Sequence, residues 1–344
     1  MANLFVRFMD MGLGDCIVVK LPGGEVLMVD CGSRRDVPDT SQMWNNMQDL
    51  VGSRIHALVL THPDSDHCNH LARVVPDTVK IDAVYHSGQL VEYLGYGSLV
   101  ANQRWDLDDS KVFAVTLNAT GCQLGTTTPT QKQANTPVAL RERDSRGFLK
   151  ILQSTTNPAC NVWILASNVP SQSQGLSERR NAASIVTLIE YGTTKVLLTG
   201  DARIETEGFL TASANATLAN LTLSQMPHHG SARKTFSNTF IQRLNPGIAV
   251  ASAIPENGDY LPDRPLLQRY AQYADALANS ASNTLRCWDV ARQATTTKRK
   301  ADGSSTTQTH DIWDIVSLTT TQKLWSTDGH YVEVELDGNG AEVS

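Results

Sequence analysis

The segment Thr61-His62-Pro63-Asp64-Ser65-Asp66-His67 places four ligand-type side chains within six residues, directly after the apolar run Ala57–Leu60. A strand ending in a tight turn can aim several such groups at one point, and two divalent cations ~3.5–4 Å apart can share that point. A lone His-x-Asp would usually be a solvated loop. The density of this cluster sets it apart. A second apolar run, Val196-Leu197-Leu198-Thr199, ends in Gly200-Asp201. Asp201 alone reads equally well as a metal ligand or as the cap of a helix over 204–214. A third run ends at Pro227-His228-His229-Gly230-Ser231. A neutral imidazole of that pair can ligate a metal while the other moves a proton, so Asp66, His228 and His229 are the expected catalytic residues.

The elements that must carry these groups are legible as short strands. Residues 4–9, 16–20, 25–30, 56–60, 81–86, 112–117 and 161–166 read as strands, as do 184–191, 194–199, 221–226 and 248–253. Further strands are expected near 284–290, 312–318 and 331–336. Helices are expected over 40–52, 67–75, 204–214, 235–244 and 265–278. Long polar stretches near 87–180 and 293–309 read as insertions into a single domain spanning 1–344. Strands in runs, with helices between them and polar clusters at strand ends, indicate an α/β layered plan.

The chain has 344 residues, 41% hydrophobic and 19% charged, which suffices for a large core without disulfides or a structural metal. A net charge of −6 argues against a protein that coats nucleic acid non-specifically, though not against a nuclease. Six cysteines without a C-x-x-C pair, no export signal and no membrane-length apolar run suggest a cytoplasmic protein with reduced thiols and no membrane partner.

Taken in order, H-P-D-S-D-H, L-L-T-G-D and P-H-H-G-S resemble the metallo-β-lactamase superfamily. They are most similar to the branch typified by the metallo-hydrolase domain of the DNA-uptake protein ComEC. Phe8-Met9-Asp10-Met11-Gly12-Leu13-Gly14-Asp15, Met28-Val29-Asp30-Cys31-Gly32 and Asn181-Ala182-Ala183-Ser184 extend the resemblance over most of the chain.

It implies an αββα sandwich and two divalent metal ions, zinc or manganese. His62 and Asp64 resemble the ligands of the first metal, and Asp66 and His67 those of the second. Asp201 resembles the bridging carboxylate and His228 or His229 the last ligand. Asp30 resembles a carboxylate that orients a ligand histidine. No histidine lies between His86 and His228. The middle histidine of the family pattern is therefore missing, Asn181 stands near its place, and the first site is expected to be the less complete. Arg264 stands where the branch often has a histidine, and an arginine there would clamp a substrate phosphate. The expected function is metal-dependent hydrolysis of a phosphodiester in nucleic acid or a nucleotide. The alternatives are a carbonyl substrate such as a lactone or amide, or a non-enzymatic interaction protein that retains the fold.

Overall fold

The computed structural model describes residues 3–34, 40–87, 93, 105, 107–126, 143–214, 217–255, 260–276, 281–299, 305–328, 330–337 and 341–343. Strands Val26–Val29 and Ala57–Leu60 are buried at every position, so both faces of their sheet are covered. Their side chains alternate between two cores, as the period of a strand requires. Val26, Met28, Leu58 and Leu60 pack with Met43, Met47, Leu50, Leu71 and Val74 from the helical segments. Leu27, Val29, Ala57 and Val59 pack with Val162, Ile164, Ile189, Val196 and Leu198 from a second sheet. On that second sheet, Leu188, Leu197, Ala249 and Ala251 face outward onto Leu210, Phe240, Ile241, Leu266 and Leu267. The layers therefore run helix, sheet, sheet, helix. A one-residue slip in any of these strands would exchange its two faces, so the alternation also sets register.

The first sheet runs Ala341–Val343, Val332–Leu336, Leu4–Phe8, Ile17–Lys20, Val26–Val29, Ala57–Leu60, Val84–His86, Val112–Asn118, Gly121–Thr126. The second runs Leu149–Gln153, Cys160–Ala166, Val186–Tyr191, Thr194–Leu198, Leu223–Gln225, Ile248–Ala251, Leu324–Ser326. Parallel pairing matters most for function. Val26–Val29 lies parallel to Ala57–Leu60, and Thr194–Leu198 parallel to Leu223–Gln225. The chain leaves each of these four strands at the same edge of its sheet.

Three expectations are corrected. The expected helix over 67–75 is two short turns, Ser65–Cys68 and Leu71–Val74. The stretch 87–180, expected as an insertion, supplies strands to both sheets and carries the helix Leu176–Ala182 at its end. Residues 127–142 of that stretch lie outside the described residues. The polar stretch 293–309 falls largely within the ribbon Asn283–Arg299 and Ser305–Thr320. It hid from pattern reading because a largely exposed two-stranded ribbon needs no apolar alternation. Its threonines nevertheless suit extended backbone. No helix among the described residues is long and apolar enough to cross a membrane.

Candidate metal centre

Parallel pairing sets Asp30, just beyond Val26–Val29, beside Thr61, just beyond Ala57–Leu60. The Asp30 carboxylate accepts from the Thr61 backbone N–H at 2.8 Å and from the Thr61 hydroxyl at 2.6 Å. His67 Nδ1 also approaches Asp30 Oδ2 at 2.8 Å. A carboxylate only accepts, so the ring proton sits on Nδ1 and the Nε2 lone pair faces the site. The orienting role expected of Asp30 matches this contact. His229 is set the same way, with Nδ1 donating to the Ser252 carbonyl at 3.1 Å. Both sheets meet here. Gly200 has φ +50°, and a Cβ there would lie 2.9 Å from the Thr61 side chain. Only a residue without a side chain lets the two strand ends approach so closely.

Asp201 lies at the centre of the cluster. Its Oδ1 is 3.3 Å from His67 Nε2 and 3.5 Å from His229 Nε2. Its Oδ2 is 3.7 Å from both His62 Nε2 and His228 Nε2. One carboxylate thus presents each oxygen to a different pair of histidines. Asp66 joins the first pair, with Oδ2 3.6 Å from His229 Nε2. Asp64 borders the second, 3.9 Å from His62 Nε2. The structure brings together six of the seven expected ligands directly. Asp64 stands at the edge, where it accepts from Arg180 at 3.1 Å and Ser177 at 3.0 Å.

The residues present fit divalent cations. His62 Nε2, His67 Nε2, His229 Nε2 and Asp201 Oδ1 are buried and lack a hydrogen-bond partner. Buried polar atoms are costly unless something satisfies them. His62, His67 and Asp201 can converge on one ion, as can Asp66, His67 and His229. The electrostatics agree. Burial alone would push the His67 pKa down, yet Asp201 and Asp30 outweigh it and hold the imidazole well above its usual range. His229 is held at about 9 against burial by Asp201 and Asp15. Asp201 itself stays well below the usual carboxylate range because His229, His228 and His67 offset its burial. Asp30, wholly buried, is pushed up to about 6 despite His67. His62 is held well below its usual range by burial and by His67.

Sequence reasoning missed two participants, Asp15 and Arg34. Asp15 is buried behind the ligand histidines, 3.6 Å from His67 Nδ1 and 3.7 Å from His229 Nδ1, and it accepts from Gln225 at 2.8 Å. Its place after Gly12-Leu13-Gly14 was the available signal. Arg34 Nε donates to Asp66 Oδ2 at 2.7 Å, and no local pattern marked it. Asn181, buried beside the second histidine pair, lies 3.3 Å from His228 Nε2 through Nδ2, near the position the missing histidine would fill. Arg264 goes elsewhere. It pairs with Asp289 at 2.8 Å and is not among the residues lining the pocket beside the cluster. The expected phosphate clamp at Arg264 is thus corrected: the hairpin strand Asn283–Arg299 supplies a nearer anion.

Residues 9–146 match the metallo-beta-lactamase superfamily. That span carries Asp15, Asp30 and His62 through His67, and the fold adds Asp201 and the histidine pair at the facing strand ends. Over that span the chain is similar to the metallo-β-lactamase superfamily. Two curated relatives share part of it. The uncharacterized protein YcaI of Escherichia coli K12 is 37% identical over 97 residues, covering 28% of this chain and 13% of YcaI. Recombination protein 2 of Haemophilus influenzae is 32% identical over 101 residues, covering 29% of this chain and 12% of that protein. The aligned region is thus a small fraction of either relative. Among solved structures, CmlA, a diiron β-hydroxylase from Streptomyces venezuelae, aligns with a TM-score of 0.39 at 14% identity, over 74% of this chain and 45% of CmlA. A Parabacteroides distasonis protein titled as a metal-dependent hydrolase aligns with a TM-score of 0.41 at 12% identity, over 78% of this chain and 90% of that one.

The turn that carries the ligands has little room. A Cβ on Gly32 would lie 2.4 Å from the His67 backbone nitrogen and 2.5 Å from the Asp66 carbonyl carbon. Gly32→Ala is therefore expected to push the Asp66–His67 turn outward. The cost should be ~1–3 kcal/mol, the range for overpacking. Thermal unfolding with and without Mn²⁺ should show a lower midpoint and a smaller response to metal. A variant that melts and binds like the parent would show that the turn tolerates displacement.

Proposed function

We propose that this chain is a metal-dependent hydrolase of the metallo-β-lactamase type that cleaves phosphodiesters, with nucleic acid or a nucleotide as substrate. The observation that carries this reading is a pocket of about 290 Å³ opening beside His228 and Asn181. Arg34, Arg203, Arg233 and Lys234 line it, against the two carboxylates Glu178 and Asp263. A cationic pocket next to a metal centre suits an anionic substrate, and arginine forks match phosphate oxygens well.

His67, His229, Asp66 and Asp201 would hold one cation, and His62 and Asp201, with Asp64 or Asn181, the other, which leaves His228 for proton transfer. Divalent cations there supply a nucleophile from water near neutral pH and a positive field for the charge that develops on the attacked group. The remaining work falls to the chain itself. Asp30 and the Ser252 carbonyl fix the two ligand imidazoles, and Arg34 orients Asp66. His228 is the one histidine of the four with appreciable exposure, 20% of its side chain, and it lines the pocket. The proton transfer expected of the His228/His229 pair is therefore assigned to His228. Its Nδ1 lacks a hydrogen-bond partner.

The test is hydrolysis of single-stranded DNA, a dinucleoside phosphodiester and a lactone in Mn²⁺, Mg²⁺ or Zn²⁺. Three carboxylates in the donor set favour harder ions, so Mn²⁺ or Mg²⁺ should support more turnover than Zn²⁺ alone. Turnover of the lactone only would move the activity to carbonyl substrates. No turnover with any metal would leave a binding protein that keeps the fold.

A further inference from the structure

Tyr260 has a position that the metal chemistry does not require. It lines the pocket beside His228, and 37% of its surface stays exposed. Its backbone sits at φ +57°, a region a bulky side chain rarely occupies. Such conformations persist only where the surroundings enforce them, and they cluster at functional sites. Here two tryptophans of the long ribbon brace the ring. Trp313 stacks on it with centroids 5.6 Å apart and planes 28° apart. Trp288 meets it edge-on at 5.0 Å and 87°. Arg233, which also lines the pocket, places its guanidinium 5.6 Å from the Trp313 ring centre. The result is a rigid aromatic surface next to cationic groups, both opening on the metal centre.

We propose that Tyr260 is a stacking platform for an unpaired nucleobase adjoining the scissile phosphodiester, so that the pocket takes single-stranded nucleic acid rather than a duplex. The proposal rests on the phosphodiesterase reading above and narrows it. Every base offers a flat π-face, and aromatic rings beside cations form a common single-strand surface. A base still paired in a duplex keeps its faces covered by its neighbours and cannot lie on Tyr260. A sugar phosphate or lipid phosphodiester would use the cations and leave the ring idle. Arg233 can serve both groups, with its charge toward phosphate and its plane on the aromatic stack.

The experiment compares binding and hydrolysis of a fluorescently labelled single-stranded oligonucleotide, its duplex and an abasic oligomer of equal length. Binding is read by polarisation of full-length protein in EDTA, and hydrolysis separately in Mn²⁺. The intact strand should bind about 5- to 150-fold more tightly than the abasic one, the factor expected for stacking a single base. It should also bind more tightly than the duplex. In Tyr260→Gly, which suits the positive φ, the ratio of intact to abasic affinity should collapse toward one. In Tyr260→Phe it should persist. Equal binding of intact and abasic strands by the parent protein would overturn the proposal without any variant. So would a preference that survives in Tyr260→Gly. If no strand is hydrolysed but the base-dependent preference and its loss are both seen, the platform stands and the hydrolytic reading fails. If all strands are hydrolysed without base preference, the reverse holds.

Discussion

Asp201→Asn is expected to keep the fold and to reduce hydrolysis to below about 1% of the parent rate. A carboxylate that only orients a metal ligand is worth ~10–100-fold, so one that would touch the ions should cost more than that. Asp201 presents Oδ1 to His67 and His229 and Oδ2 to His62 and His228, so both halves of the centre depend on it. Asparagine preserves its shape and removes its charge, which separates charge from packing. Asp30→Asn gives the internal comparison. Asp30 touches His67 rather than an ion, so its loss should fall within ~10–100-fold. Metal content and turnover should be measured on the same preparations, with circular dichroism to check the fold. A folded Asp201→Asn protein retaining half the parent activity would remove Asp201 from the chemistry.

Adding a divalent cation to chelator-treated protein should raise the unfolding midpoint by on the order of 5 °C. The free protein buries four unpartnered ligand atoms, on His62, His67, His229 and Asp201. A cation that binds only the folded form stabilises it by ~4 kcal/mol at a thousandfold excess over its dissociation constant. For a chain of this size each kcal/mol moves the midpoint by a few degrees at most. Asp201→Asn should show much less of this shift. Scanning calorimetry over a range of Mn²⁺ concentrations would check it, with Ca²⁺ as the comparison. A midpoint indifferent to Mn²⁺, Mg²⁺ and Zn²⁺ would mean that the cluster is a polar core and not a metal site.

The expected ligands were legible because each lies within a few residues of an apolar strand end. A buried strand shows itself through its own run of Val, Leu and Ile. The residue where the run stops is the first that can turn toward a shared edge. His62 to His67, Asp201 and His228/His229 all carry that local signature, and the structure brings them to one cluster. Arg264 fails for the opposite reason. Its assignment depended on position along the chain, whereas its partner, Asp289, lies on a strand 25 positions further on, and no local pattern shows that the two meet. The inner halves of the ribbon were legible, at 284–290 and 312–318, and the rest was not, because the polar stretch 293–309 carries no apolar alternation.

Sequence by itself pointed to the strand-end clusters and to the layered α/β class, because these follow from residue type and short spacing. Tertiary structure alone decided which groups share an oxygen, a proton or a pocket. Asp15 meets Gln225 across 210 positions, and Asn181 meets His228 across 47. Tyr260 meets Trp313 only because the ribbon returns to the pocket rim. Local preferences shape a strand or a turn, but they carry no information about which distant segment will lie against it. That choice is made when two apolar faces exclude water together, and the pairing of the sheets then sets Asp201 between four histidines.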